Sequence, residues 1–138
     1  MRLTLPSAPM ALAPALLLLA CGKEGDTGVQ PAATFTEVQA DILTPSCAFS
    51  TCHGGGGGAE GLSVAEGEAY AALVGVPSAQ VPELSLVEPG DHSRSYLWMK
   101  CAPTDDIIEG PMPDASSGLE ADRLERLASW IDAGAEDN

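Results

Sequence analysis

Cys47-Ala48-Phe49-Ser50-Thr51-Cys52-His53, followed at once by the glycines Gly54 to Gly58, is the stretch on which the reading of this chain turns. Two cysteines closed by a histidine fit a c-type haem attachment motif. In such a motif the thiols add to the haem vinyl groups and the histidine after the second cysteine ligates the iron. The usual spacing has two residues between the cysteines; this one has four, Ala48 to Thr51. The same residues suit two other chemistries. In an exported domain the cysteines could be halves of one or two disulfides, and with His53 they could be soft ligands for zinc or copper.

Export is written at the other end of the chain. Arg2 is the only charge before Lys23, and Ala11 to Ala20 is an apolar run, which gives the charged start and short hydrophobic core of a secretory signal. The run is too short to span a bilayer as a finished helix. Leu18-Leu19-Ala20-Cys21 resembles a bacterial lipobox, whose cysteine is acylated and becomes the new N-terminus; the alternative is an ordinary cleavage site with an incidental cysteine. The expected organisation is therefore a signal peptide over 1–20, a lipid-anchored tether over 21–33 rich in Gly, Pro and charge, and one small domain over 34–138. Acyl chains on Cys21 would hold that domain at a membrane surface, on the periplasmic side of the cell envelope.

Charge narrows the partners. The chain carries 20 acidic and 6 basic residues, a net charge of −14, which becomes about −15 once Arg2 leaves with the signal peptide. Neutralising phosphates is beyond such a surface, so nucleic acid is excluded, and a basic docking patch on a partner protein is the better electrostatic match. With Cys21 assigned to lipid, Cys47, Cys52 and Cys101 remain, an odd number in an oxidising compartment. Two thioethers would use Cys47 and Cys52 and leave Cys101 as a free thiol. One thioether, to Cys52, would let Cys47 pair with Cys101 in a disulfide. Spacing alone does not choose.

Helical signals dominate the rest. Thr34-x-x-Glu37 and Thr36-x-x-Gln39 are overlapping capping boxes, and Val38, Ile42 and Leu43 follow at helical spacing, which predicts a helix over about 36–43 ended by Pro45. Tyr70, Leu73 and Val74 predict a second over 66–74, ended by Gly75 and Pro77. After a loop with a brief extended piece at 84–87 and a turn at Pro89-Gly90-Asp91, residues 93–100 predict a third, burying Tyr96, Leu97 and the stem of Lys100. The best-formed helix is the last. Ser117-x-x-Glu120 is its expected cap, Leu119, Leu124, Leu127 and Ile131 its apolar face, Gly134 its stop, and Trp130 a core residue beside it.

The glycine run lacks the Lys-Ser/Thr of a phosphate loop and reads as a sharp or close-approach turn. In Gly110-Pro111-Met112-Pro113 the flanking prolines bias Gly110 and Met112 towards extended backbone, so the loop is stiff enough to present a thioether at a defined point.

Taken in order, these pieces resemble the small bacterial c-type cytochrome domains attached to lipoproteins and surface proteins. The match covers roughly residues 34–135. It rests on Cys47-x4-Cys52-His53, Gly61-Leu62-Ser63-Val64, Pro89-Gly90-Asp91 with Ser95-Tyr96-Leu97, Gly110-Pro111-Met112-Pro113, and Trp130-Ile131-Asp132-Ala133-Gly134-Ala135. The resemblance implies an all-α, cytochrome c-like domain of three to four helices with long loops around one haem c. It also implies His53 as proximal ligand, Met112 as distal ligand, and electron transfer as the activity, with redox proteins as partners. Met99 and His92 are reserve distal candidates. His/Met ligation leaves no open iron position, so an electron carrier rather than an enzyme is expected. Two histidines and scattered acids offer no catalytic triad or carboxylate pair.

Overall fold

The computed structural model describes residues 31–114 and 116–138; the expected signal peptide and the Cys21 expected to carry lipid lie outside them. Described residues form a small, mostly helical domain whose only β pairing is three isolated bridges, and no helix among them is long and apolar enough to cross a membrane.

The first helical rod begins where the Thr34 capping box predicts. Thr34 Oγ1 accepts the Glu37 N–H at 3.2 Å, and Glu37 Oε2 accepts the Thr34 N–H at 2.8 Å. That backbone bond, with the Thr34 hydroxyl, holds the exposed Glu37 carboxyl below its ordinary value. The rod does not stop before Pro45. Helix α1 (Phe35–Val38) passes into a π turn (Gln39–Leu43) and then into α2 (Thr44–Ser46), which contains the proline. Proline inside a helix lacks a donor and crowds the carbonyl four residues back. The π turn relieves this by widening the ladder, with the Thr44 N–H reaching Gln39 O. The rod therefore carries on to the doorstep of Cys47.

Two short helices follow. Helix α3 (Ala69–Leu73) is shorter than its expected span, and α4 (Tyr96–Cys101) is preceded by a separate 3-10 turn at His92–Arg94, capped by Asp91. Between them the extended piece forms as expected. Bridges link Val74 to Val87, Pro77 to Ser85 and Ser85 to Ser95, clamping the chain across the start of α4.

Helix α5 (Ala121–Asp132) packs against α1, the π turn and α4, burying Leu127, Trp130 and Ile131. Its predicted Ser117 cap is not used. The N-cap is Glu120, with no side-chain cap bond, and Ser117 is exposed. The reason lies in the two residues between. Gly118 takes a φ of +103°, a Cβ there would run into the Cys101 carbonyl, and the Leu119 N–H donates to that same carbonyl at 2.8 Å. The chain is thus pinned to the end of α4 and turns helical only beyond it. Gly134, at a φ of +112°, stops the helix as expected.

Candidate functional site

His53 is fixed from both sides by backbone. Its N–H donates to Cys47 O at 3.1 Å, and its carbonyl accepts the Val64 N–H at 2.8 Å. Its ring Nδ1 lies 3.1 Å from Leu62 O. A carbonyl oxygen only accepts, so Nδ1 carries the proton and Nε2 is left with a free lone pair. The glycines make this fold-back possible. A Cβ on Gly58 would sit 2.6 Å from Leu62 O and 2.8 Å from the Cα of His53, so residue 58 has to be glycine for the loop to close over the ring. The four residues between the cysteines form a compact turn, with Phe49 O accepting the N–H groups of both Cys52 and Gly54, and the Phe49 ring stands exposed.

Beside the imidazole lies a cavity of about 450 Å³. Leu43, Leu62, Val64, Leu86 and Leu97 supply much of its apolar wall, and His53, Cys47, Cys101 and Met112 all line it. His53 and Met112 are 59 positions apart in sequence, and the fold brings both to one void.

The loop carrying Met112 is held by polar struts. The Met112 N–H donates to Lys100 O at 2.6 Å, and the buried Lys100 ammonium donates to Ile108 O at 2.9 Å and Gly110 O at 2.7 Å. Tyr96 adds a third strut, its hydroxyl accepting the Ile108 N–H and donating to Gln80 Oε1, both at 3.0 Å. Sequence reading credited Lys100 only with a buried stem and Tyr96 only with a buried ring, and missed the bracing by their polar tips and by the Leu62 carbonyl. A lysine closing a helix just before a proline-rich loop was the available signal for the first. A backbone carbonyl carries no sequence signal at all.

Other expected residues stand elsewhere. Cys52 is half-buried but does not line the cavity; its Sγ is 3.8 Å from Thr51 Oγ1. His92 lies on the surface, its Nδ1 2.8 Å from the Asp132 carboxylate and its ring edge-on to Trp98, and neither His92 nor Met99 lines the cavity. Burial pushes the Cys47 thiol up to about 11, with nearby Cys52 adding to the rise. Cys101 is pushed up to about 12, first by burial and then by Cys47. Among the described residues no group of three or more His, Cys, Asp or Glu side chains is arranged to hold a metal ion, so Cys47, Cys52, His53 and Cys101 are not gathered as a zinc or copper site.

A haem fits the residues present on three counts. The void is of cofactor size, since such pockets run to roughly 300–1,000 Å³. Its wall is largely apolar with a few polar groups at fixed points. Its donors are an imidazole with a defined tautomer and a thioether, the pair that ligates iron in electron-transfer sites. No family model matches the chain, and no significant match is found among curated proteins or solved structures.

Proposed function

We propose that this protein is a monohaem c-type cytochrome, anchored by lipid on Cys21 at the periplasmic side of the cell envelope, that passes electrons between protein partners. The observation that carries the reading is the convergence of His53 and Met112 on one apolar cavity next to the Cys47–His53 attachment stretch. When bound, the haem would supply a one-electron iron couple, with a potential raised by thioether ligation.

The chain's own residues would do the rest. His53 would hold the metal through Nε2, because Leu62 O keeps the proton on Nδ1. Met112 offers its sulfur from a loop that Lys100 and Tyr96 brace. Cysteine in the attachment stretch, Cys52 with or without Cys47, would hold the macrocycle covalently. Leu43, Leu62, Val64, Leu86 and Leu97 would give the group an apolar wall, and with His53 and Met112 both acting as donors the iron would have no open place for substrate. The acidic surface would meet redox partners through a basic patch, with steering that weakens as salt rises.

The test is to express the full chain in cells equipped for cytochrome c maturation, then record a reduced visible spectrum and a haem stain after denaturing electrophoresis. Covalent haem with a low-spin, six-coordinate spectrum is expected. Met112→Ala should keep the stain while lowering the potential and admitting carbon monoxide, and His53→Ala should cost the holoprotein. A colourless, fully exported protein would overturn the reading.

A further inference from the structure

The loop that carries Met112 has no buried anchor of its own. None of residues 103–113 is buried, so polar bonds rather than core packing set its place. Lys100 holds it from α4, the helix that leads into it, whereas Gln80 reaches it from a separate segment. The Gln80 amide is used at both ends. Its Oε1 accepts the Tyr96 hydroxyl at 3.0 Å, and its Nε2 donates to Glu109 Oε2 at 2.9 Å; a carboxylate only accepts, which fixes the amide's orientation. The Tyr96 oxygen itself accepts the Ile108 N–H, also at 3.0 Å. Ile108 and Glu109 are neighbours in the chain, so the three bonds close a ring through Tyr96 and Gln80 in which each link supports the next.

Both ends of this clasp are built stiffly. Gln80 sits in a turn organised by buried Ser78, whose hydroxyl accepts the N–H groups of Gln80 and Val81, each at 3.2 Å. The Ser78 N–H donates to Leu84 O at 2.8 Å, and the Pro77–Ser85 bridge closes the base of the turn. At the other end Glu109 takes a φ of +64°, a left-handed backbone that is costly for a residue with a Cβ. It is held there by the Tyr96 bond to the Ile108 N–H and by the Lys100 bonds to Ile108 O and Gly110 O. Such backbone persists only where its surroundings over-determine it, and it collects at ligand clamps. Gln80, Tyr96, Lys100, Glu109 and Met112 all line the one cavity.

Resting on the cytochrome reading for the identity of the bound group, we propose that Gln80 is a positioning residue for Met112: its clasp on Tyr96 and Glu109 holds the loop to the cavity and keeps the distal place closed to outside ligands. With the clasp intact the methionine stays at its post, as an electron carrier requires. With it broken the loop keeps only its ties to α4, Met112 can swing clear, and the same chain would take up small ligands such as carbon monoxide.

Two measurements on the full chain test this. In haem-free protein, hydrogen exchange at the Met112 amide, which donates to Lys100 O, should quicken in Gln80→Ala by roughly three- to ten-fold, the factor that losing one net hydrogen bond produces. After cytochrome c maturation the same variant should keep its haem stain yet admit carbon monoxide when reduced, which the unaltered chain should exclude. Glu109→Gly separates position from stability. It deletes the carboxylate but suits the left-handed backbone, so its urea midpoint should hold or rise while Met112 exchange quickens and carbon monoxide enters. Exchange that quickens in either variant only in step with lost global stability would overturn the positioning role. Stained Gln80→Ala protein that excludes carbon monoxide, with Met112 exchange unchanged, would overturn it too and leave the cytochrome reading in place. Quickened exchange in a chain that stays colourless after maturation would do the reverse, and a colourless chain with unchanged exchange would overturn both.

Discussion

The two sides of this domain are held together by different means. Under α5, Trp130 is 1% exposed and packs its ring 5.3 Å from Phe35, which stands edge-on to Tyr70 at 5.2 Å. Leu127, Ile131, Val38 and Ile42 close around them. Even the polar tips are spent inside, with Trp130 Nε1 donating to Glu136 O and the Tyr70 hydroxyl to Ala135 O, both at 2.9 Å. On the other side the cavity borders the same core through Leu43 and Val64, and its Met112 loop is braced by an ammonium, a phenol and an amide. One side is filled by its own residues and carries stability. The other is kept from collapsing and has room for something large.

Trp130→Ala should break that contrast most severely. It removes the largest fully buried side chain and opens a hole among rings that have little freedom to relax. Large-to-small changes of this kind cost about 3–5 kcal/mol, enough to take much of a small domain's stability. Urea denaturation of haem-free protein should show the loss directly. A change below about 1 kcal/mol would mean that this side is not the stabilising core.

Lys100→Met should affect the other side locally. The apolar stem stays and the ammonium goes, leaving Ile108 O and Gly110 O without their donor. Both residues are exposed, so water can replace the lysine, and the global cost should fall near the low end of the roughly 1.5–3 kcal/mol for a hydrogen bond to a charged group. The sharper reading is hydrogen exchange at the Met112 amide, which should speed up by more than the global stability change accounts for. Equal changes in the two would show that the loop and the core unfold as one unit.

What the letters revealed follows the same division. The packed side was legible because its signals are local. Thr34 and Glu37 stand three apart and cap each other, and Leu127 and Ile131 recur at helical spacing. Where reading failed, the backbone had found a turn or a distant partner that the letters do not announce. Pro45 failed to end its helix because a π turn made room for it, and Ser117 failed to cap because Cys101 O had captured Leu119. On the open side, the identities of His53 and Met112 were legible as chemistry, but their meeting depends on α4 and on a carbonyl at Leu62. Cys52, next to His53 in the chain, lies outside the cavity lining, while Cys101, far along the sequence, lies within it. Spacing along the chain carries no signal for which thiols face the void.

The smallest expected effect, at the start of the packed side, tests whether its stability begins at the cap. Thr34→Ala removes the hydroxyl that receives the Glu37 N–H, which should cost about 1 kcal/mol. It spares the Thr34 N–H that bonds the Glu37 carboxylate, the first cause of that carboxyl's lowered value. A carboxyl lowered in the folded state adds stability above its unfolded value and loses it as pH falls through the folded one. The variant should therefore be less stable at neutral pH yet keep most of the acid-side loss that Glu37 contributes. Glu37→Gln should abolish that loss instead. If both variants flatten the acid limb equally, the hydroxyl rather than the backbone N–H is what holds the carboxylate, and the two halves of the cap act as one.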